Sequence, residues 1–456
     1  MESLYVKDIL DKCNGKLLVG SEDVVLDNFS KDTRTIKQND IYVGIKGDVY
    51  DGSKYYKDAI QKGAKGCILN NIELDLEYIN SLNDVFVVIV DDTIKVLQEL
   101  ASYKRGLYDI PVVAVTGSVG KTSTKDIIAS VLSEKYNVCK TEGNYNNHIG
   151  LPLTILSLKD ENCLVLEMGM SHLGEISLLS KIAKPTISVI TNVGTAHIGN
   201  LGSRENILKA KLEILDGMSN DGVLVINNDN DLLHEYYLKN IDKNILTFGI
   251  NNESKVMARD IVLDEKYSTF NYLNDEIKVN IPGEVFVLNS LCALLVGSHF
   301  NISLDKIKLG ISNFELTKRR MEIEIINGIT IINDCYNANF DSMKNAIDYL
   351  GSLNRKRKIA ILGDMLELGT YSYQLHSDLG KVINDNNIDI VITVGNEAKY
   401  IVENLNNNIQ TYSFNNNIDA INLIKEIIKE EDAILIKSSY GMKFIEIYNA
   451  LKEHCQ

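Results

Sequence analysis

The stretch PVVAVTGSVGKTSTKDIIAS, residues 111–130, constrains this chain more than any other. Residues 112–115 are β-branched or small and uncharged, the composition of a strand buried on both faces. Residues 124–132 place Ile127, Ile128, Val131 and Leu132 at helical spacing. Between strand and helix lie Gly117, Ser118, Val119, Gly120, Lys121, Thr122 and Ser123, a composition that suits a phosphate-binding loop. The two glycines let backbone N–H groups turn inward, Lys121 puts a cation on terminal phosphates, and the hydroxyl of Thr122 or Ser123 is placed to ligate Mg2+. The spacing departs from the general G-x-x-x-x-G-K-[ST] pattern, because position 115 is Val. A tight strand-to-helix turn with an incidental lysine would leave the Lys-Thr-Ser-Thr run without a purpose.

A phosphate loop in this chain must gather its positive charge locally, since the net charge is -15. The same balance argues against general affinity for nucleic acid, which rests on clustered Lys and Arg. With 456 residues there is room for about three domains. No apolar run is long enough to cross a bilayer, and MESLYVKDIL lacks the layout of a signal peptide. A cytoplasmic protein without membrane insertion is expected. The seven cysteines are scattered with no C-x-x-C pair, so they are expected to be reduced and free of zinc.

Taken in order, residues 1–107 read as a small α/β unit, with a helix over 6–13 and strands over 41–45, 66–69 and 85–90. Asp32, Thr33 and Arg34 offer a carboxylate, a hydroxyl and a guanidinium on one turn, suited to a pyrophosphate or carboxylate and equally to a solvated surface. Lys46-Gly47-Asp48 follows a strand end, where ligands meet backbone.

Residues 108–316 continue from the phosphate loop to TEGNYNNHIGLP, where Asn144, Asn146 and Asn147 can serve a ligand or a plain turn. Glu167 closes the next apolar run. Its carboxylate can hold the metal of a Mg-nucleotide or balance the dipole of the following helix. His197 sits in a glycine-rich loop, a setting that favours a metal or phosphate role over a core one. Lys209 and Lys211 lie about 200° apart on a helix, so one of them turns back toward the site. LTFGI and the segment after residue 267 read as hairpin-like β sequence, followed by a helix over 285–296. In residues 317–456, strands over 330–332, 358–362 and 390–394 alternate with helices, the order of a Rossmann-like doubly wound sheet. No G-x-G-x-x-G follows any of them, which disfavours a dinucleotide redox cofactor.

TGSVGKTS, TEGNYNNHIGLP, LEMGMSHLGEI, TNVGTAHIGNLGS, ENILKAKLEI, NDCYNANFDSM and ILGDMLELG together resemble the Mur ligase family, in order and over nearly the whole chain. YNAN followed by DSM and GDMLELG resembles most the branch that joins D-alanyl-D-alanine to UDP-N-acetylmuramoyl-tripeptide with ATP and Mg2+. The resemblance implies an α/β chain of three domains: a small UDP-sugar domain, a central P-loop domain with a mostly parallel sheet, and a Rossmann-like C-terminal domain. It also implies an acyl-phosphate intermediate and a monomer. By the same resemblance, residues 117–123 would cradle ATP, with Lys121 on the phosphates and Thr122 on Mg2+. Glu167 and His197 would serve the metal, and Lys211 matches the family lysine that is carbamylated in several members. Asn289, Asp334 and Asn337 would approach the nucleotide and Arg320 would come from the hinge. Asp32, Thr33 and Arg34 would hold the UDP-sugar, with Gly47, Asn144, Asn146 and Asn147 on the substrate side. The chain departs from the family pattern at Ser53, Val285-Phe286, Phe340, Ser438 and Tyr440. Rival expectations are another amino-acid ligase of this family, a non-catalytic nucleotide or UDP-sugar module, and a plain ATPase.

Overall fold

Val112–Thr116, uncharged and fully buried, runs inside a seven-stranded parallel sheet, as a strand covered on both faces must. Its hydrogen-bonded neighbours are Cys163–Glu167 and Ile187–Ile190. Beyond them the sheet extends to Val138–Lys140 on one side and to Val223–Asn227, Ile245–Gly249 and Val256–Met257 on the other. The computed structural model describes residues 3–456, and every strand of this sheet points its carboxyl end toward the same edge. Ile245–Gly249 departs from the hairpin expected of LTFGI: it pairs in parallel with Val223–Asn227. The intervening helix Asp231–Leu238, capped by the Asn230 side chain, makes the crossover that a parallel partner needs. The hairpin expected further on is present, with Ser268–Tyr272 antiparallel to Asp275–Val279.

Two other sheets flank this one in sequence. The N-terminal sheet is ordered Lys16–Val19, Phe86–Val90, Gly66–Asn70, Ile41–Val43, Phe29–Ser30, and only its first strand is antiparallel. The C-terminal sheet is ordered Glu322–Ile326, Ile329–Asn333, Asp432–Lys437, Arg357–Gly363, Ile390–Val394, Gln410–Phe414, again with one antiparallel edge. The result is an α/β protein of three sheet domains.

The helix Thr93–Gly106 joins the first domain to the second, and sequence alone does not announce it. Asp92 caps its start by accepting from the Ile94 and Lys95 amides. At its other end Lys104 Nζ donates to the carbonyls of Leu156 and Leu158 at 2.8 and 2.6 Å, and Arg105 Nε to that of Ala183 at 2.9 Å. Cations therefore sit on the carbonyl ends of Gly150–Leu156 and Glu175–Ala183, where helix dipoles favour them. Burial pulls the Lys104 ammonium down to about 8. All seven cysteines are free thiols.

Candidate active site

The strand Val112–Thr116 ends, the chain turns through residues 117–120, and the helix Lys121–Ser133 begins with Gly120 at φ 82. That left-handed backbone favours glycine. Gly117 is required for a different reason: a Cβ there would stand 1.9 Å from Thr191 Oγ1. The loop leans on the end of the neighbouring strand Ile187–Ile190. Asn192 Oδ1 accepts from the Ser118 and Val119 amides at 3.0 and 2.9 Å, and Thr191 Oγ1 donates to the Val119 carbonyl at 2.7 Å. Ser118 Oγ accepts from the Gly194 amide. Sequence reading did not single out Asn192 within TNVGTAHIGNLGS; its signal is its place in that loop, two residues past a strand end.

Lys121 Nζ reaches back to the Gly117 carbonyl at 2.8 Å. Burial pulls this ammonium below the ordinary lysine value, Glu167 acts against that pull, and Arg320 adds to it. Glu167 is the last residue of Cys163–Glu167 and is 2 % exposed. Asn146 Nδ2 donates to its Oε1 at 2.7 Å, while Oε2 is buried without a hydrogen-bond partner. Lys211 is also buried, at 1 % exposed, on the helix Arg204–Leu212, whereas Lys209 faces solvent. Burial, reinforced by Lys121, holds Lys211 well below the lysine range. An unpaired carboxylate oxygen and two desolvated amines thus share one end of the parallel sheet. Such groups are costly to leave without partners.

No three His, Cys, Asp or Glu side chains among the described residues converge as a ready metal cage. The donors nevertheless fit a Mg-nucleotide better than a bare ion. Hard oxygens are offered by Glu167 and Thr122, and nucleotide phosphates would complete the set. His197 takes the left-handed conformation, φ 63, and its Nδ1 lies 2.6 Å from Glu367 Oε2 without the geometry of a hydrogen bond. This contact crosses from the C-terminal domain. Beside it Asp341 Oδ2 accepts from Thr195 N at 2.7 Å and Thr195 Oγ1 at 2.8 Å, and the Tyr371 hydroxyl donates to the Gly202 carbonyl.

Other predicted residues fall into two sets. Asn289 lies against the loop: its Oδ1 accepts from Thr124 Oγ1 at 2.9 Å, and its Nδ2 is buried without a partner. Arg320 stacks on Tyr336 at 4.0 Å, with its Nε buried and unpartnered. Asp334 pairs with Lys437 and accepts from the Met321 amide, and Lys437 also donates to the Asn337 carbonyl. Asn147 caps the helix Gly150–Leu156 through the Gly150 amide, and Asn144 is exposed. Farther out, Arg34 grips its own neighbour Asp32 through Nε and a terminal nitrogen, and the Thr33 carbonyl accepts from Lys62. Gly47 closes a short turn by donating to Tyr50. Lys31 stands 5.3 Å over the Tyr145 ring, bringing the turn at 32–34 beside the segment that carries Asn146. Ser53, one of the departures, is buried and accepts from Asn70 while donating to Gly44, so it serves the core of its own domain.

Against known proteins, residues 115–297 match the family model described as the Mur ligase middle domain, and residues 319–440 match that described as the Mur ligase, glutamate ligase domain. The chain is 37% identical over 457 residues to the UDP-N-acetylmuramoyl-tripeptide--D-alanyl-D-alanine ligase of Bacillus subtilis strain 168, covering 98% of each. It superposes on a crystal structure of MurF from Acinetobacter baumannii with a TM-score of 0.89, 27% identity and 99% coverage of both chains. A MurF ligase from Thermotoga maritima in complex with ADP gives a TM-score of 0.82 at 27% identity, covering 94% of this chain and 98% of that one.

Proposed function

From the premise that this chain belongs to the Mur ligase family, in its MurF branch, we propose that it joins D-alanyl-D-alanine to UDP-N-acetylmuramoyl-tripeptide in peptidoglycan precursor synthesis, using ATP. The observation that carries the reading is the buried Glu167 carboxylate, with Oε2 unpartnered, facing a glycine loop with Lys121 at the carboxyl edge of a parallel sheet. Ligands of open α/β sheets bind at that edge.

In this reading the terminal carboxylate of the tripeptide attacks the γ-phosphate of ATP, the bond to the β–γ bridging oxygen breaks and ADP leaves, giving an acyl phosphate. The amine of D-alanyl-D-alanine then attacks the acyl carbon, forming the amide and displacing phosphate. Two anions must approach in the first step. The amides of residues 117–123 and the Lys121 ammonium offset that repulsion, and Arg320 adds a second cation from the hinge. Thr122, Glu167 and His197 would hold Mg2+, which when bound neutralises charge on the phosphates. Burial and the nearby Lys121 hold Lys211 well below the lysine range, which favours uptake of CO2 by its amine, and the carbamate would add a carboxylate to the set. Asn146 holds Glu167 in place, and Asn289, Asp334 and Asn337 would approach the nucleotide. Residues 32–34, with Gly47 and Asn144, would receive the UDP-sugar, and Asn147 shapes the segment beside them. Residues 1–107, 108–316 and 317–456 divide the work into UDP-substrate, ATP and closing domains, and closure would keep water from the acyl phosphate.

A substrate panel tests this directly. Phosphate release should require both UDP-N-acetylmuramoyl-tripeptide and D-alanyl-D-alanine, with a product mass equal to their condensation. Preference for meso-diaminopimelate or D-glutamate as acceptor, or release without a peptide substrate, would reject it.

A further inference from the structure

Five residues beyond Lys121, on the side of the same helix that faces away from the phosphate loop, Asp126 is buried with its side chain 4 % exposed. Its Oδ1 meets two ammonium groups, Lys125 at 2.9 Å and Lys140 at 2.8 Å. Burial alone would raise this carboxyl, but the two cations outweigh it and hold it below the usual carboxylate range. Its Oδ2 accepts from the hydroxyl of Thr317, 191 residues away in the linker to the C-terminal domain, at 2.9 Å. Lys125 also donates to the Thr141 carbonyl at 2.7 Å, and Thr141 Oγ1 accepts from the Glu167 amide at 3.0 Å. One buried carboxylate therefore connects the loop helix, the strand end that carries Glu167, and the linker.

The linker changes allegiance just past Thr317. The Arg319 carbonyl accepts from the Tyr336 amide at 3.2 Å, the Arg319 amide donates to Glu322 at 3.3 Å, and the Met321 amide donates to Asp334 at 3.1 Å. From Arg319 onward the backbone is thus bound to the C-terminal sheet, while Thr317 is bound to the central one, with Lys318 between them. Arg319 and Met321 both hold positive φ, 67° and 50°, a conformation disfavoured for residues with a Cβ. Arg320 lies between these two strained residues.

We propose that Asp126 is a positioning residue for the ligase reaction: by holding Thr317 it confines the pivot of the C-terminal domain to residues 318–321, so that closure brings Arg320 to one place relative to Lys121. Without the clamp the pivot would spread back along residues 314–317, and Arg320 would swing on a longer arm. Hinges are a few residues that absorb large backbone changes, and their precision depends on what anchors each side. The kinetic part of this inference rests on the ligase reading; the structural part does not.

Thr317→Val removes the linker bond and leaves the buried charges intact, so it is the decisive variant. Its thermal midpoint should fall modestly, because Asp126 Oδ2 is left buried without its partner. Its KM for ATP should match wild type, its kcat should fall about tenfold, and small-angle scattering of the full chain, with and without ADP, should report a wider spread of domain separations. Thr317→Ser should restore kcat, scattering and midpoint. Asp126→Asn should reproduce the loss of kcat with a larger drop in stability. Wild-type kcat and scattering in Thr317→Val would overturn the proposal, as would a loss of kcat with unchanged scattering. If wild-type protein ligates no D-alanyl-D-alanine, the ligase reading fails, and the scattering comparison still decides whether the clamp sets the pivot.

Discussion

The polar groups around residues 117–123 and those on the turn at residues 32–34 differ in how much water they have given up. Near the loop, Glu167 and Lys211 are 2 % and 1 % exposed, one carboxylate oxygen has no partner, and Lys211 makes no ion pair among the described residues. On the turn, the Arg34 side chain is 85 % exposed and already satisfied by Asp32, whose carboxyl the guanidinium holds down at about 2. Folding has arranged the first cluster against its own stability and left the second at rest. A ligand bound there would relieve the buried groups and supply interactions the fold alone lacks, the arrangement expected of groups that act on a transition state. A ligand at the turn would have to displace the existing Arg34–Asp32 pair, which would suit recognition and ready release.

That contrast is open to experiment, and the largest effect should come from the loop lysine. Lys121→Ala is expected to lower ATP-dependent ligation by about 10³-fold or more with no loss in thermal midpoint, measured by phosphate release and calorimetry on one preparation. Near-normal turnover would show that the buried cluster is not where the chemistry occurs. Lys211→Met should separate function from stability: ligation falls by about 10²-fold or more while the unfolding free energy measured in urea rises by about 1–3 kcal/mol. A destabilised Lys211→Met would break the claim that the site is held at a cost to the fold. Asn146→Ala, which frees Glu167 Oε1, should reduce kcat by about 10–100-fold and leave KM for the UDP-substrate nearly unchanged. The smallest effect belongs to the exposed turn. Arg34→Ala should raise KM for the UDP-substrate by about tenfold and alter stability by less than about 0.5 kcal/mol; a comparable loss of kcat would erase the distinction between the two regions.

Much of the scaffold was legible residue by residue. The helix Val6–Cys13 and the strand Ile390–Val394 match their expected bounds, because each is a short apolar pattern with clear ends. Glycines 117 and 120 and the run from Lys121 to Ser123 marked the loop, since their chemistry is local. The helix Phe340–Ser352 is capped by Asn339, whose side chain accepts from the Ser342 amide while the Ser342 hydroxyl accepts from the Asn339 amide. The helix Thr93–Gly106 was missed, and its docking of Lys104 and Arg105 onto carbonyls 52 and 78 residues away could not be read from composition. Asp341, next to a helix start, looks like an ordinary first-turn acid; that it receives Thr195 depends on which domain lies opposite.

What the order of amino acids decided alone was the set of local shapes: a buried strand, a bend only glycine tolerates, a helix that opens on lysine and hydroxyls, and the family to which that order belongs. Periodicity and backbone sterics act over a few residues, so they can be read without a fold. Tertiary structure decided which charges lose their water and which side chains from distant segments meet, as Glu367 meets His197 and Thr317 meets Asp126. Desolvation and long-range pairing depend on everything packed around a group, and no window of sequence contains that.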